Sequence, residues 1–126
     1  LHSGMMLVQY TAAALASENK VLVHPASADT IPTSGNQEDH VSMGPTAARQ
    51  ALEMLENLRG ILACEAMCAA QAVDYRQQAH PELRLGTGTQ VLFDQIRRHV
   101  PFLEHDAVMY PHIEALKSLI RNEDGG

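Results

Sequence analysis

The sequence predicts an all-α fold, with long helices packed as part of a larger helical bundle and one long ordered loop at about 21–44. The first reason is composition: Ala, Leu and Met are abundant, and aromatic residues make up only 4% of the 126 residues. That composition is typical of packed helices, whereas β-rich domains use more Val, Ile, Tyr and Phe. The second is that apolar residues recur at spacings of three and four over long segments, and no segment shows the two-residue alternation of a strand.

The first predicted helix covers residues 5–20, with Ser3-Gly4 as a weak N-cap. It is apolar on almost every side, and such a helix must be covered by other elements or by other chains. The remaining residues hardly provide that cover. We therefore expect the chain to behave as a piece of a larger helical core.

The segment at 21–44 is irregular, because prolines, glycines and short polar residues break any period. A connection of this length is usually functional or disordered. Apolar residues recur along it, so we expect an ordered loop pressed onto the core. They are Val21, Leu22, Val23, Ile31, Val41 and Met43.

Three further helices are predicted. Pro45 opens a helix that runs to about residue 78, with Gly60 as its weak point, and it stops at His80-Pro81. A turn at 86–89, with Thr89 as N-cap, precedes a helix at 90–99. A last helix covers about 111–121, and residues 122–126 are expected to form a disordered tail. The whole chain, 1–126, is interpreted as one unit.

Charge and hydropathy exclude several functions. There are 9 basic and 15 acidic residues, a net charge of −6, and no basic cluster beyond Arg97-Arg98, which argues against nucleic acids and anionic membranes as partners. The longest apolar stretch is too short to span a bilayer, and no signal peptide is recognisable. We therefore expect a cytoplasmic protein.

The two cysteines, Cys64 and Cys68, are too few for a disulfide framework, which fits a reducing compartment. They lie four residues apart on one predicted helix and could in principle both bind a metal. No second Cys or His pair follows at the spacing of a structural zinc site. We interpret both as packing thiols and predict no metal site.

The polar centre of the loop holds the candidate site residues Asn36, Gln37, Glu38, Asp39 and His40. In one interpretation Glu38 is a polar anchor or proton acceptor in a pocket, with Gln37 and Asn36 as its hydrogen-bond partners. In the other, these residues only form Asx turns and cap the following helix. Asp39 is assigned to helix or loop capping, and Asp39 and His40 together to ordering the loop. No metal ligands accompany His40.

Three sequence words carry a family resemblance. TAAALASENK at 11–20, HPAS at 24–27 and QEDHVS at 37–42 resemble, in order and spacing, the C-terminal part of the histidine ammonia-lyases, within the aromatic amino acid lyase family. The resemblance is clearest over about 1–60 and thins after about residue 80. It implies that Glu38 lies in the substrate pocket near the imidazole. Phenylalanine and tyrosine lyases commonly have a neutral amide there, since an unpaired carboxylate buried against a phenyl ring is costly.

The resemblance further implies elimination of ammonia from L-histidine to give trans-urocanate, in a mostly helical homotetramer. The family's electrophile is a methylidene-imidazolone group formed from an internal Ala-Ser-Gly tripeptide. This sequence contains Ala26-Ser27-Ala28 and His2-Ser3-Gly4 but no Ala-Ser-Gly. We therefore expect a C-terminal fragment that is inactive alone and needs the remaining N-terminal part as its partner. No catalytic residue is assigned, because Tyr10, Tyr75 and Tyr110 do not lie in matching words.

Two alternatives stay open. The chain could belong to a tyrosine or phenylalanine ammonia-lyase or aminomutase, against which the carboxylate of Glu38 argues only moderately. It could also be a non-catalytic helical module that oligomerises through its apolar first helix.

Overall fold

A computed structural model describes residues 3–123, which contain four α-helices. They are α1 (Gly4–Leu22), α2 (Gly44–Ala79), α3 (Thr87–His99) and α4 (Tyr110–Glu123). Within the described residues the one β feature is an isolated bridge between Thr33 and Glu38. The all-α prediction is therefore confirmed.

The helix boundaries agree with the sequence prediction except at α3. This helix begins at Thr87 and not after Thr89, so the predicted Thr89 N-cap is wrong. Gly86 occupies the cap position, and its carbonyl accepts the Gln90 N–H at 2.8 Å. Gly86 and Gly88 predict a turn from the sequence, but Gly88 lies within the first turn of α3. Of the predicted tail, 122–123 belong to α4 and 124–126 lie outside the described residues.

α2 is the central element, and α1 and α4 pack along it while α3 covers part of its second half. The buried core is built from all four helices and from the residue that follows α3. It comprises Val8, Ala63, Cys64, Met67, Ala70, Ile96, Val100, Ile113 and Leu116. Small residues on α2 allow close approach: a Cβ atom on Gly60 would lie 2.8 Å from Cδ1 of Leu15.

α1 is only partly covered. Val8 is its one buried residue, whereas Met6, Leu7 and Tyr10 keep 55%, 64% and 60% of their surface exposed. This is the incomplete cover that the sequence predicted for a helix apolar on nearly every side. One side of α1 is therefore open to contacts from outside the described residues.

Polar contacts attach the segment after α3 to α2. Arg97 forms an ion pair with Asp74 and donates hydrogen bonds to the carbonyls of Val100 (3.0 Å) and Pro101 (3.2 Å). The buried amide of Gln71 donates to the Leu103 carbonyl (2.8 Å) and accepts the Leu103 N–H (3.2 Å). These bonds satisfy backbone groups that regular secondary structure leaves unpaired in this segment.

The N-terminus of α1 is capped by a side chain that is distant in sequence. Ser3 occupies the N-cap position of α1 but its side chain makes no capping hydrogen bond, so the predicted Ser3-Gly4 cap does not form. The carboxylate of Asp106 accepts the N–H groups of Ser3 (3.1 Å) and Gly4 (2.9 Å) instead. A carboxylate at a helix N-terminus satisfies unpaired donors and complements the helix dipole.

The two cysteines lie where α1 and α2 meet. Cys64 is buried and Cys68 is half-buried, with its Sγ 3.9 Å from Sδ of Met5. Burial raises the pKa of both thiols. Over residues 3–123 no three His, Cys, Asp or Glu side chains come together as a metal site. In the same residues no helix combines the length and hydropathy needed to cross a bilayer.

Candidate functional site

The loop between α1 and α2 is held together at its base by Thr30. The hydroxyl of Thr30 accepts the Val41 N–H at 2.9 Å and donates to the Asp39 carbonyl at 3.3 Å. The N–H of Thr30 donates to the carboxylate of Asp29 at 2.8 Å. The two sides of the loop are therefore joined, and residues 31–38 form a small hairpin-like tip.

The tip is closed by reciprocal backbone hydrogen bonds between Thr33 and Glu38. The Thr33 N–H donates to the Glu38 carbonyl (2.8 Å), and the Glu38 N–H donates to the Thr33 carbonyl (3.3 Å). Between them the chain turns through Ser34, Gly35 and Asn36, with φ values of 51°, 61° and 67°. Glycine adopts this left-handed region freely and Asn tolerates it, whereas Ser34 does so at a cost.

Glu38 lies at this tip with its side chain exposed. Its Oε2 accepts a hydrogen bond from the Thr33 hydroxyl at 3.1 Å. Oε1 has no hydrogen bond to the described part of the chain. A carboxylate held on one side in this way can accept an N–H, or pair with a cation, through its other oxygen.

Asn36 and Gln37 flank Glu38 but do not bond to it. Their side chains are exposed and make no hydrogen bond within residues 3–123. Thr33 is the hydrogen-bond partner of Glu38, and sequence reasoning missed it. The Ser-Gly-Asn step between Thr33 and Glu38 is a turn signal that could have placed the two residues opposite each other.

Asp39 and His40 follow the tip. Asp39 takes part in the base of the loop through its backbone carbonyl, which accepts the Thr30 hydroxyl. The cap position of α2 is occupied by Met43, with no side-chain hydrogen bond, so neither residue caps that helix. His40 is exposed and makes no hydrogen bond in the described region. A loop-ordering role for its side chain stays a prediction.

The loop is ordered by its own bonds, but its tip is not pressed onto the core, so the prediction of burial is wrong for this part of the loop. Residues 31–40 are all exposed, and Val21 and Ile31 keep 74% and 67% of their surface in contact with solvent. Of the apolar residues of the loop, Leu22, Val41 and Met43 are half-buried, whereas Val21, Val23 and Ile31 stay exposed. One hydrogen bond to α2, from the Gln50 amide to the His24 carbonyl (3.4 Å), lies at the base of the loop.

A groove of about 510 Å³ lies at that base, lined by residues of both loop ends and the first turns of α2, including His24, Pro25, Met43 and Gln50. Glu38 does not line it. Any pocket around Glu38 therefore requires walls from outside the described residues.

The comparisons with known proteins agree with one another. The family model for aromatic amino acid lyases matches residues 1–98. A histidine ammonia-lyase from Symbiobacterium thermophilum is 54% identical over 122 residues, which is 97% of this chain and 23% of that protein. The chain thus spans about a quarter of the length of the curated relatives it matches.

Solved structures show the same relationship. The crystal structure of histidine ammonia-lyase from Trypanosoma cruzi matches with a TM-score of 0.87 and 42% identity, over 98% of this chain and 23% of that chain. Tyrosine aminomutase from Streptomyces globisporus matches with a TM-score of 0.89 and 37% identity over the same shares.

Proposed function

Because the chain belongs to the aromatic amino acid lyase family, we propose that it forms the C-terminal part of an ammonia-lyase that converts L-histidine to trans-urocanate and ammonia. The observation that carries the proposal is the match to histidine ammonia-lyases at 51–54% identity along 95–97% of the chain. The exposed carboxylate at the tip of the loop supports the same substrate, since the imidazole of histidine carries an N–H that a phenyl ring lacks.

Glu38 is the residue of this chain that binds substrate in the proposal. Its Oε1 accepts the imidazole N–H, while Oε2 stays bonded to Thr33. A hydrogen bond to a charged acceptor is stronger than one between neutral groups, especially in a pocket closed to water. Gln37 and Asn36 add neutral donors and acceptors on the same tip.

The family's methylidene-imidazolone group supplies the electrophile, and this chain does not provide it. The sequence has no Ala-Ser-Gly, and the Ser3-Gly4 step is engaged in bonds to Asp106 at the start of α1. The proposal therefore requires a partner: an N-terminal part of the enzyme that carries the tripeptide.

We also propose that the complete enzyme is a cytoplasmic homotetramer. In this assembly other polypeptide covers the open side of α1 and the loop tip, which the described helices leave in solvent. Covering these apolar side chains stabilises the assembly by about 25 cal/mol for each Å² of apolar surface that is removed from water.

The test is a Glu38→Gln variant of the complete enzyme, with urocanate absorbance as the readout. The amide oxygen of Gln still accepts the imidazole N–H, so a charge-assisted bond of about 1.5–3 kcal/mol is exchanged for a neutral one of about 0.5–1.5 kcal/mol. This should lower kcat/KM for histidine by about tenfold without changing the melting temperature. Glu82→Gln is the matched control, because that exposed carboxylate is 44 positions from Glu38 in the sequence and has His80 as its ion-pair partner among residues 3–123. Equal histidine turnover in Glu38→Gln and its parent would remove the binding role of Glu38, whereas a parent that makes no urocanate would remove the substrate assignment.

A second candidate is an aminomutase or lyase acting on tyrosine or phenylalanine. The similarity to tyrosine aminomutase at 37% identity favours it. Incubating the complete enzyme separately with histidine, tyrosine and phenylalanine, and analysing the products by mass, separates the candidates. Urocanate alone supports the first, and a cinnamate-type or β-amino acid product supports the second. No product from any substrate would favour a non-catalytic oligomerisation module.

A further inference from the structure

We propose that Thr33 is a positioning residue for Glu38: its hydroxyl fixes one carboxylate oxygen so that the other is presented to the substrate. The inference rests on the proposed role of Glu38. It goes beyond that role by assigning a function to a residue four positions upstream of the QEDHVS word. The carrying observation is the 3.1 Å bond from Thr33 Oγ1 to Glu38 Oε2.

The backbone places these two side chains together. Paired N–H and carbonyl groups join Thr33 and Glu38 in both directions, as in a narrow antiparallel pair. Side chains of directly opposed residues lie on the same face of such a pair. The contact between hydroxyl and carboxylate therefore follows from the register of the tip.

The register is set by the turn between them. Ser34, Gly35 and Asn36 all have φ between 51° and 67°, which reverses the chain within three residues. Non-glycine residues in this region cost of order 1 kcal/mol each and persist where the surrounding bonds hold them. The reciprocal Thr33–Glu38 bonds close this turn, and inside it the Gln37 N–H donates to the Ser34 carbonyl at 3.2 Å.

The hydroxyl matters because nothing else described restrains the carboxylate. A glutamate side chain loses up to about 2 kcal/mol of conformational entropy when it is fixed. At an exposed tip that cost would fall on substrate binding unless the side chain were already held. The bond from Thr33 holds it beforehand and leaves Oε1 open.

Threonine suits this task better than serine. Its β-branched side chain has few χ1 rotamers, so the extended backbone at Thr33 (φ −131°, ψ 177°) determines where the hydroxyl points. Serine retains the donor with less restriction. Valine retains the shape and loses the donor.

The experiment compares Thr33→Val and Thr33→Ser in the complete enzyme, with Thr87→Val as the matched control at the exposed start of α3. Thr33→Val should lower kcat/KM for histidine by about tenfold, since small losses of orientation are costly in rate. Thr33→Ser should recover to within about threefold of the parent. Thr87→Val should match the parent, and all melting temperatures should stay equal.

A double-mutant cycle then tests whether Thr33 acts through Glu38. In a Glu38→Ala background, Thr33→Val should have no further effect on kcat/KM. An equal loss in both backgrounds, or no rescue by serine, would overturn the positioning role. If Glu38→Gln leaves histidine turnover unchanged, the binding role of Glu38 fails and the role of Thr33 fails with it. If the parent enzyme makes no urocanate from histidine, the proposed function fails independently. If Glu38→Gln lowers turnover and Thr33→Val does not, only the role of Thr33 fails.

Discussion

The carboxylate of Asp106 accepts the backbone N–H of Gly4 at 2.9 Å, across 102 positions of sequence. Its second oxygen accepts the N–H of Ser3. The segment before α4 therefore supplies the N-terminal cap of α1. Gly4 permits the approach, since a Cβ there would lie 2.8 Å from Cε of Met109 and 3.0 Å from Asp106 Oδ1.

Removing this cap should destabilise the protein. We expect Asp106→Ala to lower the free energy of unfolding by about 0.5–2 kcal/mol, the usual contribution of an N-cap. Asp106→Asn should lose less, because the amide oxygen still accepts one N–H. Urea denaturation followed by circular dichroism measures both. Glu104→Ala, two residues earlier and without a hydrogen bond in the described chain, is the control and should change little.

Glu56 should give the protein an acid-sensitive contribution to stability. Both its oxygens accept the Arg121 guanidinium at 2.7 Å, its Oε1 lies 3.0 Å from Lys117 Nζ, and Arg59 is 3.5 Å away. Hydrogen bonds from Arg121, then Lys117, lower the pKa of Glu56 from 4.5 to about 2. Glu114, which also pairs with Lys117, is the nearby acid on α4.

The direction in which stability changes with pH follows from the lowered pKa of Glu56. Because Glu56 binds its proton less readily when folded, its contribution is fully present above pH 4.5 and is lost as the pH falls towards 2. Glu56→Gln should therefore be less stable than its parent at pH 7 and equal to it near pH 2. High salt should reduce the difference at pH 7, because this pair is half-exposed. A difference that persists unchanged at pH 2 would contradict the assignment.

Gly60 should resist large side chains. Here α1 approaches α2 so closely that an added Cβ would lie 2.8 Å from Cδ1 of Leu15. Gly60→Val should cost about 1–3 kcal/mol, as overpacking does. Gly60→Ala should change stability by less than about 1 kcal/mol, because the gain in helix propensity offsets a small shift of Leu15. Thermal unfolding measures the stability of both variants. Equal losses of stability in Gly60→Val and Gly60→Ala would contradict this prediction.

The buried side-chain amide of Gln71 should be needed to hold the segment after α3 against α2. Gln71→Met keeps the volume but leaves the N–H and carbonyl of Leu103 without this partner. We expect Gln71→Met to lower the free energy of unfolding by about 1–3 kcal/mol. The Leu103 amide should exchange hydrogen faster than in the parent. The matched control is Gln78→Met on the exposed end of α2, where stability and exchange should both stay unchanged.

The sequence predicted the helices well because their signal is local. Apolar spacing, Pro45 and the His80-Pro81 step placed α2 within one residue at each end. The start of α3 was missed because glycines at 86 and 88 were interpreted as a turn, and their neighbours alone do not tell a turn from a first helical turn. The cap that Asp106 supplies to α1 and the hydrogen bonds between Gln71 and Leu103 could not be predicted, because they join residues far apart in sequence.

In the candidate site, too, the local features could be predicted from the sequence and the contacts between separated residues could not. The polar run from Asn36 to His40 could be found from its composition, and the family resemblance singled out Glu38. The Ser-Gly-Asn turn signal could place Thr33 opposite Glu38, but the bond between their side chains is defined only by the structure of the tip. The burial of the loop was predicted wrongly, because its apolar residues indicate that they need cover but do not say which polypeptide provides it.

α2 is 36 residues long, about 54 Å at 1.5 Å per residue, yet all its buried residues lie between Gly60 and Gln71. The helix is thus anchored in its middle and comparatively bare for the first four turns, which adjoin the loop. Fraying in an unaccompanied chain should start at Gly44 and travel inward. Any molecule that shields those turns should therefore suppress this fraying.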